Sequence, residues 1–78
     1  MILEIITPEN ELYNGTVRSV KVPGSAGEFE ILNNHASIVS SLINGNIRVI
    51  NDKEEELNFN IKSGVIEMQK NKIVILAE

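Results

Sequence analysis

The chain has 78 residues, a formal net charge of −4 and no cysteine. A chain this short forms one domain, spanning residues 1–78, and buries only roughly 60% of its unfolded surface, so docking to a partner would add stability. The lack of cysteine excludes disulfides and thiolate zinc sites. The acidic balance, with Tyr13, Phe29 and Phe59 outside any basic cluster, disfavours nucleic-acid binding.

The first half of the chain contains four runs of Ile, Val and Leu that predict strands, at 2–7, 12–22, 28–32 and 38–43. The first run starts directly at the N-terminus with no signal-peptide pattern, and no apolar run reaches the ~20 residues of a membrane span. Within the second run, Asn14 and Gly15 accept positive φ and predict a bulge or corner.

The second half continues with runs at 47–50, 57–61, 65–68 and 73–76. The run at 57–61 alternates apolar and polar residues, which is typical of a half-buried strand. Residues 51–56 form a solvated hairpin tip, and 69–72 join the last two strands. The sequence therefore predicts an all-β fold: a small two-sheet β-sandwich or flattened barrel of short, mostly antiparallel strands.

The first strand is apolar on both faces, with Leu3 and Ile5 opposite Ile2 and Ile6. Such a strand lies inside the sandwich or under a partner. A domain this small does not easily cover both faces, so part of this apolar surface is a candidate interface.

The glycine pair Gly24 and Gly27 brackets a short loop that superficially resembles a phosphate loop. It lacks the Lys-Ser/Thr of a P-loop, no helix follows, and the charge of Glu28 would repel a phosphate. The loop is either a flexible tip between two strands or a contact with a protein partner.

The only histidine, His35, lies in a turn near Ser37, without the sharp nucleophile elbow that catalysis requires. It either shapes the turn by hydrogen bonding to the backbone or contacts a partner. Glu28 and Glu30 project from one face of their strand, opposite Phe29. They form either a solvated edge that resists aggregation or an acidic patch facing a basic partner.

Motifs along nearly the whole chain resemble the epsilon subunits of F-type ATP synthases. The match begins with Thr7-Pro8-Glu9 and Leu12-Tyr13-Asn14-Gly15, and continues through Gly24, Ser25, Gly27, Glu28, Phe29, Ile31, Asn34, His35 and Ala36. It ends with Ser63-Gly64-Val65-Ile66-Glu67-Met68 and the segment from Asn71 to Glu78. The order and spacing of these motifs make the resemblance strong.

The resemblance implies a non-catalytic, cofactor-free rotor subunit at the foot of the central stalk. It would couple the gamma subunit to the c-ring during proton- or sodium-driven ATP synthesis, peripheral to the cytoplasmic face of the bacterial inner membrane. Contacts with the c-ring would come from Gly27, Glu28, Phe29 and His35, with Glu28 facing an arginine of the ring. Contacts with gamma would come from Thr7, Ile38, Ser40 and Leu42.

Several positions depart from the family pattern. Glu30 replaces a usual glycine, and Asn33, Ser37 and Asn44 replace prolines. The sequence stops at Glu78, whereas the family continues into a helical hairpin, so we expect neither ATP binding nor inhibition of hydrolysis by inserted helices. The alternative interpretation is a generic β-sandwich adaptor that binds a protein through the edge from Gly24 to Ala36.

Overall fold

The computed structural model describes residues 1–78, and every regular element is a β-strand. The strands are β1 (Ile2–Ile6), β2 (Glu11–Gly24), β3 (Gly27–Leu32), β4 (Ile38–Leu42), β5 (Gly45–Asn51), β6 (Glu56–Ile61), β7 (Gly64–Gln69) and β8 (Lys72–Ala77). All eight predicted strands are present, which confirms the all-β prediction. The chain contains no helix with the length and apolar character of a membrane span.

The strands form two packed layers that share the long strand β2. Sheet one has the order β4-β7-β8-β1 and is completed by the first half of β2; sheet two contains β3, the second half of β2, β5 and β6. Only β1 and β8 pair in parallel. A single pairing, Gly24 with Leu42, joins β2 to β4. The predicted flattened, mostly antiparallel sandwich is therefore confirmed.

The predicted irregularity at Asn14 and Gly15 is wrong in position. Both residues lie in a regular ladder, where they pair with Glu4 and Leu3. The register shifts instead leave Leu12 unpaired against β1 and Arg18 unpaired against β5. These sites flank the point where β2 leaves sheet one for sheet two. An extra residue in one strand increases its local twist and bends it, which favours such a change of sheet.

The hydrophobic core lies between the two sheets and consists of the inward side chains of all eight strands. Its 16 buried residues are Met1, Leu3, Ile5, Val17, Val20, Val22, Ile31, Leu42, Ile47, Val49, Ile61, Ile66, Met68, Ile73, Ile75 and Ala77. Tyr13 and Phe59 meet edge to face at 6.1 Å at its margin. Since the core takes most of the inward side chains, the two outer faces and the strand ends remain for function.

Candidate functional site

The outer face of sheet one carries exposed apolar side chains. Strand pairing aligns them in rows: one row runs from Ser41 through Val65 and Leu76 to Ile6. The next row runs from Val39 through Glu67 and Val74 to Glu4, so it alternates apolar side chains with carboxylates. Val39 is 69% exposed and Leu76 is 56% exposed. We call the set Ile2, Ile6, Val39, Val65 and Leu76 the apolar face.

A groove of about 610 Å³ lies along one end of the apolar face. Ile6, Val65 and Leu76 line it, together with Thr7 and other residues of the neighbouring loops. The β1–β2 turn is fixed there, because the Asn10 amide donates to Thr7 Oγ1 at 3.0 Å and the Thr7 amide donates to the Asn10 carbonyl at 2.8 Å. The groove is therefore a mainly apolar concavity with one margin held by these hydrogen bonds, a shape that suits an apolar protein segment.

The residues predicted to contact gamma differ in burial. Thr7 and Leu42 both line the groove. Leu42 is only 4% exposed, and Ile38 packs against the core. Ser40 points to the same side of β4 as these two residues, so the side chains of β4 that are exposed to solvent are Val39 and Ser41. The two most exposed side chains of β4 are therefore not the ones predicted to contact gamma, and that contact stays a prediction.

The outer face of sheet two is polar, and its charges are paired. Lys21 Nζ lies 3.2 Å from Glu28 Oε1, and Arg48 Nη2 lies 2.8 Å from Glu30 Oε2. We call these four residues the charge row. Glu28 and Glu30 do project from one face, as predicted, but each has a basic partner within the chain, so they do not form an uncompensated acidic patch.

Glu30 is the most firmly held member of the charge row. Ser19, which is 6% exposed, donates its hydroxyl to the same Glu30 oxygen that Arg48 binds. The Ser19 hydrogen bond, assisted by the positive charges of Arg48 and Lys21, lowers the pKa of Glu30 below its usual 4.5 despite partial desolvation. This carboxylate therefore stays ionised to a lower pH than an unperturbed glutamate.

The hairpin tip, Gly24 to Gly27, is fixed by close contacts. Gly27 has φ of 130°, which favours glycine, and a Cβ on Gly24 would lie 2.6 Å from the Gly27 carbonyl oxygen. The Ser25 amide donates to the Ser41 carbonyl at 3.0 Å, and the hydroxyls of both serines lie 2.9 Å apart. The predicted loop is thus anchored to β4 of the opposite sheet.

The turn of His35 is anchored at the other end of β3. Nδ1 of His35 donates to the Ala36 carbonyl at 2.7 Å, which is the backbone bond expected of a turn-shaping histidine. The Asn34 amide donates to the Asn71 side chain at 2.9 Å, and the amino group of Met1 donates to the Asn33 side chain at 2.7 Å. Asn34 adopts φ of 63° in this turn.

The residues predicted to contact the ring are consequently spread along β3. The four residue steps from Glu28 to Leu32, at roughly 3.3 Å each, separate Glu28 from the His35 turn by about 13 Å of strand. Gly27 and Glu28 are exposed near the hairpin tip, whereas Phe29 is half-buried against the core. No three His, Asp or Glu side chains lie close enough together to hold a metal ion. The arrangement offers binding surfaces.

Comparison with known proteins agrees with this architecture. The family model described as "ATP synthase, Delta/Epsilon chain, beta-sandwich domain" matches residues 1–78. An ATP synthase epsilon chain from Protochlamydia amoebophila is 40% identical over 97% of this chain and 52% of its own length. Another from Chlorobium limicola is 38% identical over 97% of this chain and 86% of its own length. The chain thus spans only about half of the Protochlamydia relative.

The fold also recurs in a solved structure. A chain in the Euglena gracilis mitochondrial ATP synthase, whose structure contains OSCP, F1 and the c-ring, superposes with a TM-score of 0.92. It is 18% identical, and the match covers 99% of this chain and 49% of that one. At this identity the superposition shows a shared fold.

Proposed function

Because the chain belongs to the ATP synthase delta/epsilon family, whose β-sandwich model matches all of residues 1–78, we propose that it is a non-catalytic rotor subunit of an F-type ATP synthase. In this role it sits in the central stalk and couples the gamma subunit to the c-ring during proton- or sodium-driven ATP synthesis. The observation that supports a docking role best is the apolar face, which leaves Val39 and Leu76 more than half exposed.

The gamma subunit is proposed to cover the apolar face and its groove. Exposed apolar side chains that cluster on one face of a small domain favour protein association there. Val39, Val65 and Leu76 supply the apolar contacts, and Ser41 and Thr7 supply hydrogen-bonding groups at the groove margin. Ile38, Ser40 and Leu42 support this surface from behind, since they carry the inward side chains of β4.

The c-ring is proposed to contact the hairpin tip. Glu28 is the charged contact, because its side chain is 58% exposed and follows Gly27 directly at the anchored hairpin tip. Phe29 supports the tip from the core side. His35 is proposed as a separate ring contact at the far end of β3. The domain is then peripheral to the cytoplasmic face of the bacterial inner membrane.

The first experiment is co-purification of the tagged chain from its host, followed by mass spectrometry of the recovered proteins. Recovery of the gamma, catalytic and c subunits in fixed ratio is expected. The Leu76→Glu variant tests the apolar face: it should no longer recover gamma, while its circular dichroism spectrum should show that it remains folded. Recovery of none of these subunits by the wild-type chain would overturn the proposal and favour an adaptor that uses the edge from Gly24 to Ala36.

A further inference from the structure

The charge row contains a lysine placed between two glutamates that differ in how firmly they are held. We propose that Lys21 competes with the ring for binding to Glu28. When an arginine-bearing loop of the ring binds Glu28, the Lys21 side chain moves to Glu30, and the ease of this move sets how tightly the hairpin tip binds the ring. This inference rests on the proposed function of Glu28. It assigns roles to Lys21 and Glu30, residues that the ring itself need not touch.

The first step of the argument is that the Lys21–Glu28 pair can be exchanged. The two side chains are 36% and 58% exposed, and their charged atoms are 3.2 Å apart. Exposed lysine–carboxylate pairs are weak, because water and salt screen them and because ordering both side chains costs entropy. A cation of the ring can therefore displace Lys21 from Glu28 at little cost.

The second step is that the Glu30 carboxylate is held in place by hydrogen bonds and lies beside Lys21. In the β2–β3 ladder Lys21 pairs directly with Glu30, and in the β2–β5 ladder it pairs directly with Arg48. Glu30 accepts hydrogen bonds from Ser19 and Arg48, so it remains an ionised, oriented carboxylate next to Lys21. When a partner takes Glu28, Lys21 still has a carboxylate beside it, and its charge is not left unpaired.

The third step concerns the chemistry of the incoming cation. A guanidinium binds a carboxylate through two parallel hydrogen bonds, whereas an ammonium acts as a point charge. When an arginine of the partner displaces Lys21 from Glu28, the carboxylate gains this second hydrogen bond. When a lysine of the partner displaces Lys21, one ammonium contact is replaced by an equivalent one. The internal competitor thus selects for an arginine-bearing loop.

The test measures binding of the chain to the c-ring purified in detergent from the same organism, at low and high salt. Lys21→Gln should strengthen binding about two- to fivefold at low salt, the range expected from removing one exposed ion pair. Lys53→Gln is the matched control. It removes the same charge from an exposed turn where Lys53 makes no ion pair, and it should leave binding nearly unchanged.

A second variant tests the transfer itself. Glu30→Gln removes the alternative partner of Lys21, so it should weaken ring binding in the wild-type background and have no effect in the Lys21→Gln background. Equal effects in both backgrounds, or unchanged or weaker binding by Lys21→Gln, would overturn the role of Lys21 while leaving the Glu28 contact in place. Failure of the wild-type chain to bind the ring would instead overturn the proposed ring contact, and the inference with it.

Discussion

The outer faces of the two sheets differ, although their inner faces are built from the same aliphatic residues. On sheet one, Val65 and Leu76 are roughly half exposed and have no covering partner within the chain. On sheet two, the corresponding surface is occupied by ion pairs and by a 2.8 Å hydrogen bond from Asn46 to Asn58. Sheet one thus leaves apolar side chains uncovered, whereas most polar groups on the outer face of sheet two are paired within the chain. This contrast is the basis for proposing sheet one as the docking side.

The largest expected effect separates the two faces by their response to the same added charge. Leu76→Glu places a carboxylate in the proposed gamma interface, and it should weaken gamma binding by about 2 kcal/mol or more, roughly 30-fold. Asn60→Glu adds the same charge to the exposed outer face of sheet two and should leave gamma binding unchanged. Titration calorimetry with purified gamma measures both. Equal weakening by both variants would show that the apolar face is not the docking site.

The next largest effect tests whether sheet two is held together by its own polar groups. Ser19→Ala removes the hydroxyl that binds Glu30 on a side chain that is 6% exposed. We expect the melting temperature to fall by a few degrees, because a buried donor to a charged acceptor is lost, while gamma binding stays constant. Thermal melts followed by circular dichroism provide the measurement, and Ser37→Ala, in the exposed segment after His35, is the control. A loss of gamma binding in Ser19→Ala would contradict the division of the faces.

The pH dependence of stability should be concentrated in the charge row. Folding lowers the pKa of Glu30, so its contribution to stability is present above the usual value of 4.5 and is lost as the pH falls through the lower folded value. Urea unfolding between pH 7 and pH 3 should therefore show a steeper acid loss in the wild-type chain than in Glu30→Gln. Parallel profiles would mean that other carboxylates dominate the acid response.

The strands themselves were predictable from the sequence, because alternation and turn residues are local signals. The β7–β8 turn is an example: Lys70 and Asn71 have φ of 52° and 60°, as a tight two-residue hairpin turn requires. The position of the bulges was not predictable in this way. Asn14 and Gly15 tolerate an irregularity, but the register shifts fall at Leu12 and Arg18, on either side of the point where β2 changes sheets.

The candidate site was predictable only in part, since its geometry depends on contacts between distant residues. Alternation in β4 divides its side chains into two sets, and both sets contain apolar residues. Only the packing of Leu42 in the core shows that Val39 faces outward. Likewise, the sequence places Glu28 and Glu30 on one face, but their basic partners come from β2 and β5, as far as 18 residues away.

The smallest expected effect compares ion pairs on the two faces. Lys72 and Glu4 face each other on sheet one at 3.9 Å, with 54% and 27% exposed side chains and no supporting hydroxyl. Lys72→Gln should change the free energy of unfolding by less than about 0.5 kcal/mol, because an isolated exposed pair is screened by water and salt. Chemical denaturation at low and high salt measures this change. If Lys72→Gln destabilised the chain as much as Ser19→Ala, the polar groups of sheet one would be as firmly organised as those of sheet two. The difference between the proposed docking face and the outer face of sheet two would then rest on the apolar residues alone.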